Sequence, residues 1–156
     1  MSEQLVKFEA HGHIGIFTLD RPRAMNAVNG EVSKQFEAHL EKFELDENLW
    51  IGIVCSSHKK VFCAGADLGA IGSGVPLATV KGGFAGFVQY PRRKPMIAAV
   101  DGYALAGGCE IVLACDMVVA SDTSKFGVPE VKRSLVAAAG GLFRLPQKLP
   151  KVVAME

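Results

Sequence analysis

The sequence predicts an α/β fold, and three observations carry that prediction. Compact apolar runs of strand length recur at residues 50–55, at Met96–Val100 and, shorter, at Met117–Ala120. An amphipathic helical stretch precedes the first run, and a helical stretch that is apolar apart from Glu110 separates the last two. Strands that alternate with helices are the pattern of an α/β architecture.

In chain order, residues 6–10 and 14–19 read as two short strands around His11-Gly12-His13, where a glycine between polar residues suits a tight hairpin. Pro22, in Asp20-Arg21-Pro22-Arg23, cannot donate to a ladder and ends the second strand. A helix starts near Asn29, a good N-cap residue. Val32, Phe36, Leu40 and Phe43 follow at spacings of four and three and make one apolar face. Lys34, Glu37, Glu41 and Lys42 occupy its other faces. After the strand at 50–55, residues 68–90 contain Gly72-Ser73-Gly74 and Gly82-Gly83 and read as a flexible stretch, partly helical at most. Residues 110–115 read as a buried helix with Gly107 and Gly108 at its N-terminus, and residues 151–156 as the opening of a helix without a closing cap. No long-period repeat is visible.

Composition bounds the function. The 156 residues suffice for one domain with a real core and fall short of two. Lys plus Arg is 17 and Asp plus Glu is 16, a net charge of +1, which argues against a nucleic-acid-binding domain held by a basic face. With 49% hydrophobic and 21% charged residues the chain resembles an ordinary soluble globular protein rather than a disordered one. No apolar run reaches the roughly 18–20 residues of a membrane span. Residues 1–10 carry charges and no apolar signal core, so no membrane partner and no secretion are expected. Cys55, Cys63, Cys109 and Cys115 form no CxxC pair, and no His lies at zinc-ligand spacing from them. They read as buried free thiols of a reducing compartment, so the expected location is cytoplasmic, with no metal site.

Two glycine-rich turns each follow strand-like residues. One is Phe62-Cys63-Ala64-Gly65-Ala66-Asp67; the other runs from Asp101-Gly102-Tyr103 to Ala106-Gly107-Gly108-Cys109-Glu110. Small residues let backbone approach a ligand closely, and a strand-to-helix turn leaves N–H groups free to donate. A helix N-terminus at Gly107 would suit a developing oxyanion. Neither turn is a nucleotide motif: no GxGxxG occurs, and Gly107-Gly108 is followed by Cys-Glu rather than Lys-Ser/Thr. On composition alone, each turn reads as structural. Glu110 lies in an otherwise apolar helix, and Glu130 follows Phe126-Gly127-Val128-Pro129. Burial of a carboxylate is costly and raises its pKa, which suits proton transfer near neutral pH. Backbone donors, or pairing with Lys132 or Arg133, would be the structural alternative.

Together these segments resemble the enoyl-CoA hydratase (crotonase) family. The resemblance rests on Asp20-Arg21-Pro22 with Asn26-Ala27, residues 62–67, residues 97–104, Gly107-Gly108-Cys109-Glu110, Ala114-Cys115-Asp116 and residues 126–130. The six motifs keep the family's order and spacing and run through nearly the whole chain.

The resemblance implies a crotonase-like spiral of strand–strand–helix units, with residues 1–156 as its core domain. It implies an acyl-CoA substrate whose thioester enolate is stabilised by two backbone N–H groups, matched here by Ala66 and Gly107. Two glutamates that hold the added water match Glu110 and Glu130. The reaction implied is addition of water to a 2-trans-enoyl-CoA to give a 3-hydroxyacyl-CoA, with no cofactor beyond the coenzyme A of the substrate. Substrate-binding positions carried over are Arg23, Ala24, Met25, Ala64, Gly65, Asp67 and Gly108, with Arg21, Arg23 and Lys59 as candidates for the CoA phosphates. The Arg92-Arg93-Lys94 cluster reads as solvated. His11, His13, His39 and His58 match no catalytic position and read as surface residues.

Three departures stand out. Ala106 precedes the glycine pair where the family often has a third glycine, a mild change. Residues 131–141 replace a segment that shapes the acyl pocket. Family members also continue with a helical region that covers this pocket and builds a homotrimer or hexamer, and the sequence is expected to lack it. The alternatives are an enoyl-CoA isomerase, another acyl-CoA lyase of the family, or a non-catalytic truncated fragment with exposed apolar surface that tends to associate.

Overall fold

Period-two alternation along its second strand and a two-residue turn, Gly12-His13, build the first unit. Strand β1 (Val6–His11) pairs antiparallel with β2 (Ile14–Leu19), closing at His11 opposite Ile14 around Gly12, whose φ of +58° a glycine adopts without strain. Gly15, Phe17 and Leu19 alternate inward along β2. Helix α1 (Gly30–Leu45) lays its stripe of Val32, Phe36, Leu40 and Phe43 against them, with Phe17 meeting Phe36 at 5.6 Å and Phe43 edge-on at 5.5 Å. Asn29 caps α1 as predicted, its side-chain oxygen accepting the Val32 N–H at 2.9 Å. The structure is a computed structural model that describes residues 3–155. Residues 1, 2 and 156, the ends of the charged N-terminal stretch and of the terminal helix, lie outside the described residues.

The chain then repeats one theme. Strand β3 (Ile51–Ser56) is followed by β4 (Val61–Cys63) and α2 (Leu68–Ile71). After a small hairpin of β5 (Ala78–Thr79) and β6 (Gly83–Phe84) come β7 (Met96–Val100), β8 (Tyr103–Leu105) and α3 (Gly107–Ala114). Next are β9 (Met117–Ala120), β10 (Lys125–Gly127) and a 3-10 turn, Pro129–Arg133; α4 (Gly141–Lys148) and α5 (Lys151–Met155) finish the described chain. The first strand of each unit joins a five-stranded sheet in the order β1-β2-β3-β7-β9, and the second joins a small sheet in the order β10-β8-β4. All pairings after the first hairpin in these two sheets are parallel, so each unit advances both sheets by one strand in a spiral. No helix among the described residues is long and apolar enough to cross a membrane.

Several details correct the sequence reading. Trp50 lies before its strand rather than in it: it is 61% exposed and stacks on His13 with ring centroids 3.6 Å apart. Residues 68–90 are not simply flexible. Ala85, Phe87 and Val88 are buried, and Gly86 packs so closely that a Cβ there would overlap the Ser33 carbonyl of α1. Of the Arg92-Arg93-Lys94 cluster, the Arg93 side chain is solvated as read, but Arg92 donates to the Phe87 and Ala114 carbonyls and Lys94 to the carbonyls of Phe43 and Asp46, while the Arg93 N–H donates to the buried Glu44. His39 is half-buried, one ring nitrogen 3.0 Å from the Val6 carbonyl oxygen, and His58 accepts the N–H groups of Lys60 and Val61. The helix read at 110–115 begins at Gly107 and ends at Ala114.

Candidate active site

The small sheet creates the site because its three strands end on the same edge. The carboxyl ends of parallel strands, where chains turn into helices, gather unpaired backbone donors. Strand β4 leaves at Cys63 into Ala64-Gly65-Ala66-Asp67, β8 leaves at Leu105 into Ala106-Gly107, and β10 leaves at Gly127 into Val128-Pro129-Glu130. Since β8 lies between the other two, the turns after β4 and β10 flank that of β8.

Close packing joins the first two turns. A Cβ on Gly65 would lie 2.9 Å from the Gly107 nitrogen, and one on Gly108 would overlap the Cys63 carbonyl. Glycine at both positions therefore lets the N-terminus of α3 rest on the end of β4. Residues 20–28 hold the first turn from behind through Asn26, which is 1% exposed. Its side chain accepts the Arg21 N–H at 2.8 Å and donates to Ser56 Oγ at 2.7 Å and to the Phe62 carbonyl at 3.0 Å. The Val28 N–H then donates to the Gly65 carbonyl, and the Asp67 N–H to the Val28 carbonyl. Ala66, between those two bonds, keeps its N–H without a partner among the described residues, as does Gly107 at the first position of α3.

Both glutamates arrive at the same place. Glu110, in the first turn of α3, is 3% exposed, and Glu130 in the 3-10 turn is 9% exposed. They line one cavity of about 880 Å³ together with Ala24, Met25, Ala64, Ala66, Asp67 and Gly107. Its walls are apolar, with Leu68, Ile71, Leu77, Phe84, Leu135 and Val136. Burial lifts the Glu110 carboxyl above its ordinary value; the Gly141 N–H, donating to Oε1 at 2.8 Å, opposes that rise, and Glu130 nearby adds to it. The Ala139 N–H, in the same loop, also favours the ionised Glu110 carboxylate. Glu130 Oε2 is buried without a hydrogen-bond partner among the described residues. An orphaned acceptor of this kind calls for a donor from water or ligand.

The other positions singled out in the sequence fall around this cavity. Arg23 is exposed outside its lining, while Gly65 and Gly108 are buried supports behind it. Arg21 is not free for a phosphate: its guanidinium donates to Asp67 at 2.6 Å and to the Ala27 carbonyl at 3.0 Å. That pairing holds the Asp67 carboxyl below its usual range, and the same carboxylate caps α2 through the Gly69 and Ala70 N–H groups. Lys59 is exposed outside the lining. Ala106 has φ 53° and ψ −128°, a left-handed conformation that glycine adopts more cheaply. The change from glycine thus leaves the N–H of Gly107 in place at the cost of local strain. Cys63 and Cys115 are pushed up to about 12 by burial and Cys109 to about 11, so these thiols are inert supports. Among the described residues no group of three or more His, Cys, Asp or Glu is placed to hold a metal ion.

Sequence reasoning placed Leu135, Val136 and Gly141 in a pocket-shaping segment, but it missed Phe84 as a wall of the cavity and the bond from Gly141 to Glu110. Only tertiary packing brings α4 and these loops to the glutamates, and Pro146 inside α4 hides its helical pattern.

A two-sheet parallel spiral that delivers unpartnered backbone donors and two buried carboxylates to one apolar cavity defines the crotonase class of fold. The chain belongs to the enoyl-CoA hydratase/isomerase family, which it matches over residues 9–156. A probable enoyl-CoA hydratase of Rhizobium meliloti (strain 1021) is 38% identical over 161 residues, covering 100% of this chain and 61% of that protein. The crystal structure of an enoyl-CoA hydratase from Mycobacterium tuberculosis H37Rv matches with a TM-score of 0.93 at 44% identity, over 98% of this chain and 60% of that one. That of a carnitinyl-CoA hydratase from Mycobacterium avium matches with a TM-score of 0.94 at 45% identity, over 99% and 60%. The chain therefore spans about 60% of the length of the relatives it matches.

Proposed function

We propose that this protein is an enoyl-CoA hydratase, adding water across the double bond of a 2-trans-enoyl-CoA to give a 3-hydroxyacyl-CoA. One observation carries the reading: two buried carboxylates, Glu130 with an unpartnered oxygen, line the same cavity as the free N–H groups of Ala66 and Gly107.

The thioester carbonyl oxygen accepts from those two N–H groups, which stabilise the enolate oxygen as negative charge builds on it. Glu110 and Glu130 hold a water molecule between them. Its oxygen bonds to C3 as the carbon–carbon double bond opens, one of its protons passes to a carboxylate, and C2 receives a proton from the carboxyl pair. Water is thus consumed whole and the pair returns to its starting protonation. Which glutamate gives and which takes is a property of the coupled pair. The CoA moiety runs past residues 23–25 and 61–66, with Arg23 and Lys59 toward its phosphates, and the acyl chain lies along the apolar wall.

Dehydration of a 3-hydroxyacyl-CoA is the same path reversed, and the carnitinyl-CoA hydratase among the relatives favours an unusual acyl group as a second reading. Incubation of the protein with 2-butenoyl-CoA in H₂¹⁸O tests the proposal. Loss of the conjugated thioester absorbance with ¹⁸O at C3 of the product supports hydration. Migration of the double bond from a 3-enoyl-CoA with no ¹⁸O uptake would replace it with isomerisation.

A further inference from the structure

The contact that orients Glu110 comes from another helix. Gly141, the first residue of α4, donates its N–H to Glu110 Oε1 at 2.8 Å. What fixes Gly141 in turn is Arg144, one turn along. Its guanidinium folds back over the start of the helix and donates to the Ala139 carbonyl at 3.0 Å. A second nitrogen donates to the Val88 carbonyl at 2.7 Å, in the segment that follows the cavity wall at Phe84. The backbone between these anchors is shaped around the cation: Gly140 has φ +114°, and a Cβ there would overlap Arg144 Nη1. One planar, permanently charged group with fixed donors therefore ties the end of the pocket loop to the cavity wall, a task a lysine point charge performs less well.

We infer that Arg144 is a positioning residue for Glu110, fixing the Ala139–Gly141 backbone so that the carboxylate it holds stays aimed at the cavity. The inference rests on the hydratase reading for its catalytic consequence and on the geometry alone for its structural one. Three groups act electrostatically on Glu110 or with it: Glu130 from the 3-10 turn, Arg144 from α4 and the Cys109 thiol on its own helix. Of these, Arg144 alone favours the ionised carboxylate.

The test uses the whole chain with ¹³C-labelled glutamate, the Glu110 signal being assigned by its loss in Glu110→Gln. In Arg144→Gln the Glu110 titration midpoint is expected to move upward. Hydration kcat should fall about tenfold while KM changes less than about twofold, since substrate contacts are untouched. Arg144→Lys keeps the charge but not both carbonyl bonds, so its midpoint should stay near wild type with kcat still reduced. Lys148→Met removes the other α4 anchor, a bond from Lys148 to the Cys115 carbonyl at 3.1 Å, and should lower stability without moving the midpoint. A folded Arg144→Gln protein with the wild-type midpoint would overturn the inference, as would an equal shift in Lys148→Met. If Arg144→Gln fails to fold, wild-type kcat in Arg144→Lys overturns it instead. A wild-type protein without turnover removes the hydratase reading, while the titrations still decide whether Arg144 governs Glu110.

Discussion

Glu110 shows how a site can work against the stability of its own fold. Its carboxyl is raised by burial, so ionisation is disfavoured in the folded protein relative to the unfolded chain. In this pH range the folded state binds more protons than the unfolded state, and stability falls as pH rises from the unfolded carboxyl range through the folded one. Glu110→Gln keeps the acceptor for Gly141 and removes the charge. It should raise the melting temperature at pH 7–8 by about 3 °C, the effect of about 1 kcal/mol in a chain of this size, and change it little near pH 4. Calorimetry at the two pH values checks this. Ala106 is the second residue held against its preference, at φ 53°. Relief of a strained backbone is worth about 1–3 kcal/mol, and glycine returns about half to one of that through the unfolded chain. Ala106→Gly should therefore stabilise by about 1 kcal/mol in urea titrations with turnover preserved.

At the scale of elements, the docking of α3 on β4 decides whether the two turns meet. Gly108 faces the Cys63 carbonyl, which is backbone and cannot yield, whereas Gly107 faces the Phe84 ring, which can rotate. Gly108→Ala should cost about 3 kcal/mol or more and displace the helix. Gly107→Ala should cost about 1 kcal/mol and appear first as weaker acyl-CoA binding. Denaturant unfolding beside ligand titration separates the two.

The same elements explain what could be read from the chain. The hairpin, α1 with its Asn29 cap, β7 and β9 were legible because periodicity or capping chemistry writes them locally. Strands β4, β8 and β10 were not legible as strands: at three residues each they carry no period, and the glycines around β4 and β8 made those segments read as turns. Ala66, Gly107, Glu110 and Glu130 were singled out through the family resemblance, and they line one cavity. The Gly141 donor was not singled out, since no motif marks it and only the docking of α4 brings its N–H to Glu110.

Across the whole molecule, the spiral ends on a strand with one side unpaired. All four residues of β9 are exposed, and Met117 and Val119 lie at this edge of the large sheet. Exposed apolar edges invite pairing with other chains. The 156-residue protein should self-associate at micromolar concentration, and Val119→Lys should reduce this in sedimentation velocity without loss of secondary structure.

The central claim is that two carboxylates and two backbone donors act as one centre, and 2-butenoyl-CoA hydration by three proteins tests it most directly. The wild-type chain should turn over, while Glu110→Gln and Glu130→Gln, folded and still binding acyl-CoA, should each lose at least about 100-fold in kcat. Near wild-type hydration in either variant would contradict the account.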